Sequence, residues 1–279
     1  MINDGLHINF RDTSANGGSV GVWWWSSGDA TNASRSTQYL QFLKDNQVSE
    51  IYLCADGMSN AQMAAFIRKA ATYGMRVAWL SGDASWINSQ STAIATKYLN
   101  YQAQAAADAK FYALHLDVEP HQLSGFSGNR ANIMQKFAEF IGKIATMLHN
   151  AGEKIEWDIP FWLEGEAADR VTMGGKTMGI ISYIASVSDT LCLMSYRDTA
   201  SQILGVSAEE IAAAKQSGCK VICGVETYSQ EGDAVSFMEE GKAELCRQLK
   251  TVYQTLATKG LTEYGIAVHY VPKWYSLKN

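Results

Sequence analysis

The chain has 279 residues, 47% of them hydrophobic and 18% charged, with a formal net charge of −5. This composition is typical of a globular protein with a sizeable core, and the acidic balance, without a lysine- or arginine-rich run, argues against nucleic-acid binding. No apolar stretch approaches the roughly 18 residues that a membrane helix needs, so we expect no membrane partner either.

The first predicted strand is the apolar run at residues 19–26, which contains Trp23. Residues 1–18 before it show no clear period and are interpreted as a hairpin or an irregular plug across the bottom of the fold. A helix is predicted at 34–46, where Tyr39, Leu40 and Leu43 fall on one side. The chain therefore opens with a strand followed by a helix.

Two further predicted strands each end in an aspartate. Residues 48–56 end at Asp56, and residues 75–83 end at Asp83. Between them, Ser59 is predicted to cap a helix that Gly74 ends, and an alanine-rich helix follows at 92–109. The repeated order of strand, acidic strand end and helix indicates a recurring β-α unit.

Residues 113–121 form the fourth predicted strand, which has two unlike faces. Three apolar residues from 114 to 118 alternate with His115, Asp117 and Glu119, the period of two that a strand requires. Pro120 has no N–H group to extend a central ladder, so the strand must end near Glu119. The alternative is a solvated edge strand whose acids pair with basic neighbours, but the flanking sequence is too apolar for that.

The rest of the chain repeats the same alternation. Strands are predicted at 154–162, 189–198, 220–228 and 263–271, and helices at 129–151, 179–186, 207–218 and 235–258. Ser207 and Glu210 form a capping-box pattern for a helix that Gly218 ends. Only residues 272–279 follow the last strand, so the eighth helix is predicted to be reduced or missing.

Eight strands alternating with helices predict a (β/α)8 TIM barrel, an α/β fold with a single domain over residues 1–279. We expect an N-terminal extension at 1–18, the barrel core at 19–271 and a short C-terminal segment at 272–279. An open doubly wound sheet is the rival fold, but the glycine-rich turn that such sheets usually carry after the first strand is missing.

The carboxyl ends of the strands in a parallel barrel meet at one face, where such barrels carry their sites. The five histidines are scattered, and the five cysteines show no metal-ligand spacing and are odd in number. No phosphate cradle and no Gly-x-Ser-x-Gly elbow occurs. We therefore predict no metal, no organic cofactor and no disulfide framework. The remaining candidates are the acidic residues at the strand ends, in a chain with eight Trp and thirteen Tyr. Glycoside hydrolysis uses such acids between aromatic walls.

Two glutamates are the main catalytic candidates. Glu119 is the predicted general acid/base, because Asp117 lies two residues earlier on the same face and raises its proton affinity. Glu226 ends the seventh predicted strand, across the barrel mouth from the fourth, and is predicted to act as nucleophile or stabiliser in a retaining mechanism. The alternative for Glu226 is an ion pair with Arg197 on the neighbouring strand.

Other side chains at the strand ends are predicted to bind a carbohydrate substrate. For Trp162 and Tyr196, packing in the core and stacking on a sugar are equally good interpretations. For His269, a buried core position is favoured over a catalytic role. Arg197 could equally bind an acidic sugar. The predicted substrate-binding set is Trp23, Asp56, Asp83, Asp158, Trp162, Arg197, Asp198, Tyr228, His269 and Tyr270.

Four segments resemble motifs of glycoside hydrolase family 18, the chitinase-type barrels. LDVE at 116–119 is similar to the end of their Asp-x-x-Asp-x-Asp-x-Glu motif, and LSGD at 80–83 resembles their Ser-x-Gly-Gly. MSY at 194–196 resembles Met-x-Tyr-Asp, and VICGVETY at 221–228 resembles Gly-x-Pro-x-Tyr. The resemblance implies that Glu119 is the general acid, that Asp117 orients a substrate 2-acetamido group attacking the anomeric carbon, and that the catalytic Tyr196 steadies the intermediate.

Three residues depart from the family pattern. His115 stands in place of the middle Asp, Arg197 in place of the Asp after Tyr196, and Glu226 in place of the Pro. Glu226 suits a second group of barrel glycosidases with two catalytic glutamates, although Val118 stands where those usually have Asn. The alternatives that stay open are a substrate-assisted chitinase-like N-acetylhexosaminidase using Asp117 and Glu119, a non-catalytic carbohydrate-binding barrel, and a barrel lyase or amidase.

The sequence bears only weakly on localisation. Its first four residues, MIND, are polar and show no signal peptide, and a chain whose signal had been removed would look the same. We expect a secreted or cell-surface protein rather than a cytoplasmic one. The oligomeric state, the sugar and the linkage stay open.

Overall fold

A computed structural model describes residues 18–163, 167–228 and 233–279. The interpretation of residues 1–18 as a hairpin or plug therefore lies almost wholly outside the described residues. The strands are β1 (Gly18–Trp24), β2 (Glu50–Cys54), β3 (Arg76–Ser81), β4 (Leu114–Leu116), β5 (Ile155–Pro160), β6 (Arg170–Met173), β7 (Lys176–Gly179), β8 (Thr190–Met194), β9 (Lys220–Glu226) and β10 (Tyr264–His269).

The helices surround the sheet. They are α1 (Ser27–Thr31), α2 (Ala33–Asp45), α3 (Asn60–Thr72), α4 (Ser85–Ser89), α5 (Ala93–Gln104), α6 (Arg130–Asn150), α7 (Ile180–Val187), α8 (Ala200–Val206), α9 (Ala208–Ser217), α10 (Lys242–Ala257) and α11 (Val271–Ser276). No helix within the described ranges is long and apolar enough to cross a bilayer.

Eight parallel strands close into a barrel in the order β1-β10-β9-β8-β5-β4-β3-β2. The predicted TIM barrel is therefore confirmed, and the sixth, seventh and eighth predicted strands are β8, β9 and β10. β4 and β9 are separated by β5 and β8 on the shorter path around the ring. This order brings the carboxyl ends of β4 and β9 to the same mouth.

Two apolar layers hold the barrel together. The larger layer lies between the strands and the helices, and α6 alone buries nine residues in it, among them Phe137 and Phe140. A smaller cluster, which includes Trp23, Tyr52 and Ile222, fills the barrel interior. Burial of this apolar surface is the main favourable term for the fold, at about 25 cal/mol per Å².

Helix ends follow the predicted chemistry in three of four places, among them Gly74, which follows the end of α3 with φ of 83°. Ser59 caps α3 in a capping box with Gln62, and Gly218 ends α9 with φ of 81°. The capping box predicted for Ser207 and Glu210 is wrong, because the Ser207 hydroxyl donates to the carbonyl of Ile203 instead. α8 runs almost directly into α9, so Ser207 also serves the preceding helix.

The C-terminal segment forms the reduced eighth helix that the sequence predicts. α11 packs on α2: the rings of Trp274 and Phe42 are 5.2 Å apart, as are those of Tyr275 and Tyr39. The Tyr275 hydroxyl also accepts a hydrogen bond of 2.7 Å from Gln38. These contacts cover the side of the barrel where a full eighth helix would lie.

Two segments differ from the sequence prediction. A hairpin of β6 and β7 was not predicted; it docks on α6 through two hydrogen bonds between Thr172 and Gln135. The helix predicted from residue 235 begins only at Lys242, because Gly241 at φ 85° interrupts the chain before it. All five cysteines carry free thiols.

Candidate active site

A cavity of about 580 Å³ opens at the carboxyl ends of the barrel strands. Its wall contains both glutamates that the sequence singles out and four other predicted site residues. The described lining residues are Glu119, His121, Pro160, Phe161, Trp162, Met194, Tyr196, Arg197, Glu226, Tyr228 and Val235. The volume suits a small ligand or one to several sugar units.

The chain that follows β4 packs directly against Gly82, which has no side chain to keep it away. The Asp117 N–H group donates to the Ser81 carbonyl, which continues the β3–β4 pairing by one residue. A Cβ atom on Gly82 would lie 1.7 Å from the Asp117 carbonyl oxygen, which is backbone and has no freedom to move aside. Glycine at position 82 is therefore a packing requirement of the strand that carries the acids.

Glu119 is a partly buried acid with two polar neighbours. Gln122 Nε2 donates to its Oε1 at 2.5 Å, and His121 Nε2 lies 3.3 Å from its Oε2. Burial raises the pKa of Glu119, the nearby charge of Asp158 adds to the increase, and His121 and Gln122 oppose it. The carboxyl therefore keeps its proton to a higher pH than an ordinary glutamic acid, as a general acid must.

Asp117 is next to Glu119 and more deeply placed. Burial raises the pKa of Asp117 well above its usual range, and the negative charges of Asp158 and Glu119 raise it further. Its Oδ1 is buried and has no hydrogen-bond partner within the described part of the chain. The raised pKa means that this carboxyl keeps its proton to a higher pH than an ordinary aspartic acid, and Asp117 itself is not among the residues that line the cavity.

Below these acids, the barrel interior holds an ion triad. The ring of His115 is fully buried, with Nδ1 at 2.9 Å from Glu156 Oε2 and Nε2 at 2.8 Å from Asp158 Oδ1. Burial opposes a charged ring, but Asp158 and Glu156 outweigh it and raise the pKa of His115 to about 10. Tyr52 stacks on the ring at 4.1 Å, and Trp23 Nε1 donates to Asp158 Oδ2 at 2.9 Å. His115 is thus a buried imidazolium.

The same place contains a possible metal-ligand geometry. Donor atoms of His115, Asp158 and Cys192 lie within 4.8 Å of one another. However, both ring nitrogens of His115 are protonated in the triad, and a protonated nitrogen has no lone pair for a metal. Burial also raises the pKa of the Cys192 thiol well above its usual range. The donor set therefore does not fit a metal site at neutral pH.

Glu226 is held on both oxygens. Oε1 accepts from the N–H groups of Thr227 at 2.7 Å and Tyr228 at 2.8 Å, and Oε2 lies 2.7 Å from His269 Nδ1. Trp25 Nε1 can only donate, and it lies 2.8 Å from His269 Nε2, so the proton of the neutral ring sits on Nδ1. Three donors thus surround the carboxylate. The ion pair with Arg197 that the sequence allows is replaced by this contact.

Tyr196 connects the two groups of acids. Burial of its hydroxyl raises the pKa of Tyr196 well above its usual value, and the charges of Glu226, Asp158 and Asp117 add to the increase. Its ring is tilted against that of His269, with the centroids 6.0 Å apart. The phenol is therefore a permanent hydrogen-bond donor at the cavity wall.

Aromatic rings form one side of the cavity. Trp162 packs edge-on against His121 at 4.9 Å and against Phe126 at 6.1 Å. Arg130 donates to the Trp162 carbonyl and forms a two-pronged ion pair with Asp169 at 2.7 and 2.9 Å. The backbone at Trp162 is thereby held in place, so this part of the cavity wall is preformed.

Several predicted substrate-binding residues lie outside the cavity lining. Trp23 and Asp158 belong to the barrel interior, and Asp56 is an exposed residue that accepts from Ser81. Exposed Asp83 accepts from the Ser85 N–H at 2.8 Å at the start of α4. Of the remaining predicted residues, Asp198 follows Arg197 on the chain, His269 holds Glu226, and Tyr270 packs at 4.9 Å on His269.

Sequence reasoning missed Glu156 and Trp25, and it also missed His121 and Phe161 of the cavity lining. Glu156 sits two residues before Asp158 and therefore on the same face of β5, so the period of two was a usable signal. The role of Trp25 depends on contact with His269, which is 244 positions away along the chain. No local pattern predicts such a contact.

Comparison with known proteins supports the fold. No family model matches the chain, and no curated protein is similar to it. A class V chitinase from Nicotiana tobaccum in complex with NAG4 is 10% identical with a TM-score of 0.55, covering 92% of this chain and 94% of that one. A GH18 chitinase from Cycas revoluta in complex with (GlcNAc)4 is 10% identical, with a TM-score of 0.52 and coverages of 91% and 95%.

A third similar structure is a β-1,3-glucanosyltransferase from Rhizomucor miehei in complex with laminaritriose. It is 11% identical with a TM-score of 0.53, covering 89% of this chain and 86% of that one. The chain thus has the barrel fold of GH18 chitinases and related TIM-barrel glycoside hydrolases. At 10–11% identity the similarity shows the fold alone.

Proposed function

We propose that the protein is a glycoside hydrolase that cleaves an oligo- or polysaccharide, with Glu119 as general acid/base. One observation carries the proposal: a single cavity contains two carboxyl groups with different surroundings. Burial and Asp158 raise the pKa of Glu119, while three N–H donors surround the carboxyl group of Glu226. Two acids set apart by their environments are what glycosidic bond cleavage requires.

Glu119 would protonate the glycosidic oxygen as the bond to the anomeric carbon breaks. Its side chain is 19% exposed and lines the cavity, so a substrate can reach it, and its burial raises its pKa. After the leaving group departs, the ionised Glu119 would take a proton from the incoming water. General acid–base catalysis of this kind contributes about 10²- to 10⁴-fold.

Glu226 would face the positive charge that develops at the anomeric carbon. In a retaining mechanism it attacks that carbon, forming a glycosyl-enzyme intermediate, and its carboxyl group then lies about 5–5.5 Å from the acid. The hydrogen bonds from Thr227, Tyr228 and His269 fix its orientation. A preoriented carboxylate needs little reorganisation in the transition state.

A second mechanism within the same activity is favoured by Asp117. Asp117 lies two residues before Glu119 on the chain, burial raises its pKa, and its unpartnered Oδ1 would bind a polar substituent next to the anomeric carbon once the carboxyl turns into the cavity. The substrate would then supply its own 2-acetamido group as nucleophile, and the permanent donor Tyr196 would bind that group. The two chitinases with similar folds are in complex with N-acetylglucosamine oligomers.

A hydrolysis screen tests the proposal. The pure protein is incubated with a panel of defined oligosaccharides and aryl glycosides, and products are followed by mass spectrometry and by NMR of the anomeric proton. Cleavage with retained anomeric configuration supports the proposal. Binding of a glycan without cleavage at high protein concentration would contradict it and favour a carbohydrate-binding barrel.

A further inference from the structure

Arg197 is a cation in the wall of the cavity. It follows Tyr196 just beyond the end of β8, and its guanidinium carbon lies 4.5 Å from the centroid of the Phe161 ring. Its Nη1 donates to the Tyr196 carbonyl at 2.7 Å. The ring and the carbonyl hold the guanidinium in one orientation, which reduces the entropy that it would lose on binding a ligand.

No acid of the described chain uses the charge of Arg197. Within residues 18–163, 167–228 and 233–279, its contacts are the carbonyl of Tyr196 and the ring of Phe161, both uncharged. Arginine forms strong two-pronged hydrogen bonds with carboxylates, and no other partner of the Arg197 N–H groups is found in the part of the chain that the structure describes.

The two acids of the cavity already have other partners. Glu119 is next to His121 and accepts from Gln122, and Glu226 is next to His269 and accepts from two backbone N–H groups. Both glutamates thus have hydrogen-bond donors of their own, and Arg197 is not among them in the described ranges. A second cation approaches the same rim, because Lys273 Nζ lies 3.8 Å above the ring of Tyr228.

We propose that the cavity takes a glycan carrying a carboxylate, and that Arg197 binds this carboxylate. The inference rests on the proposed function, a carbohydrate substrate, and specifies that this substrate is negatively charged. A carboxylate in a protein cavity attracts a guanidinium more strongly than a hydroxyl does, since ionised hydrogen bonds are about twice as strong as neutral ones. Phe161 supports the arrangement by stacking below the cation.

A uronic acid and an amino sugar with a lactyl ether are two sugars that supply this chemistry. In the first the carboxylate is attached to the ring at C5, and in the second it hangs from the oxygen at C3. The experiment therefore uses both: a hyaluronan tetrasaccharide and a tetrasaccharide of alternating N-acetylglucosamine and N-acetylmuramic acid. Each is paired with its own carboxamide, which has nearly the same shape without the charge.

Binding is measured by calorimetry on Glu119→Gln, which prevents cleavage during the titration, and on Glu119→Gln combined with Arg197→Met. Thermal unfolding of both variants checks that they are folded. We expect at least one of the two acids to bind about 10-fold or more tightly than its carboxamide, and we expect Arg197→Met to abolish this preference. Arg197→Lys, which keeps the charge without the planar fork, should retain part of it.

Three results would overturn the inference: equal affinity for acid and carboxamide in both pairs, a preference that persists in Arg197→Met, or no binding of either acid. The proposed hydrolysis is tested separately with the parent protein. Cleavage of (GlcNAc)4 by a protein that binds acid and carboxamide equally would support the hydrolase proposal and contradict the inference that the substrate carries a carboxylate. A preference for the acid that depends on Arg197, in a protein that cleaves no glycan, would support the carboxylate inference and contradict the hydrolase proposal.

Discussion

His115 and Asp158, on the neighbouring strands β4 and β5, form a buried ion pair in which Nε2 and Oδ1 are 2.8 Å apart. Asp158 in turn raises the pKa of both Asp117 and Glu119. A charge pair inside the barrel is thereby coupled electrostatically to the acid that we place at the reacting bond. The barrel interior, as well as the mouth, therefore affects the protonation state of the catalytic group.

The pH profile should move in opposite directions in two variants. Glu119 acts as a protonated acid, so kcat/KM falls as pH rises through its pKa. Asp158→Asn removes a charge that raises this pKa, and His121→Asn removes one that lowers it. We expect the alkaline limb of kcat/KM to move down in pH for Asp158→Asn and up for His121→Asn. Shifts in the same direction would contradict this account.

Stability should depend on pH through His115. Its pKa in the folded protein, about 10, is raised above the ordinary value of 6.5. The resulting stabilisation is fully present below pH 6.5 and is lost as pH rises towards 10, with a slope of about 1.4 kcal/mol per pH unit. Urea unfolding between pH 6.5 and 8.5 measures this slope before most unfolded cysteines and tyrosines ionise.

The control for that slope is the double variant His115→Gln with Glu156→Gln. It removes the titrating ring together with one of its two acids, and so avoids leaving two buried carboxylates facing each other. The difference in slope between the parent protein and the control reports His115. Parallel curves for the two proteins would show that His115 is not charged in the folded state.

Gly82 should tolerate no side chain, whereas Gly205 should accept one. A Cβ at Gly82 would lie 1.7 Å from the Asp117 carbonyl oxygen, while a Cβ at Gly205, in α8, meets nothing within 4 Å. We expect Gly82→Ala to lower the free energy of unfolding by about 1–3 kcal/mol and to displace the end of β4. Gly205→Ala should leave that free energy unchanged or raise it by up to about 1 kcal/mol. Equal effects of the two substitutions would refute the packing argument.

The repeating units of the barrel could be predicted from the sequence because their signals are local. Apolar strand cores end in acids, and Ser59 and Gly218 mark helix ends. The hairpin of β6 and β7 also had a local signal, since Gly174 and Gly175, with φ of 58° and 79°, form the Gly-Gly turn typical of tight hairpins. The prediction nevertheless has no strand between residues 162 and 179.

The candidate site was less accessible to sequence reasoning. The ends of β4 and β9 identified Glu119 and Glu226, because parallel strands deliver their last residues to one mouth. The partners of these acids come from distant positions: His269 holds Glu226, and Asp158 acts on Glu119. Pairings of that kind depend on strand register and on ring orientation, which periodicity does not encode.

Azide rescue should separate the two proposed mechanisms. In Glu226→Ala a small anion can enter the space left by the carboxylate and attack the anomeric carbon. If Glu226 is the nucleophile, added azide restores turnover on an aryl glycoside and gives a glycosyl azide of inverted configuration. If the substrate's acetamide is the nucleophile, azide has no effect, and Asp117→Asn becomes the variant with the larger loss of kcat.

The most direct test of the account compares the parent protein with Glu119→Gln on a glycan that the parent cleaves. Glutamine keeps the size of the side chain and removes the transferable proton. We predict a loss of kcat of about 10²- to 10⁴-fold with an unfolding temperature and a glycan affinity close to those of the parent. Undiminished hydrolysis by a folded Glu119→Gln variant would contradict the account.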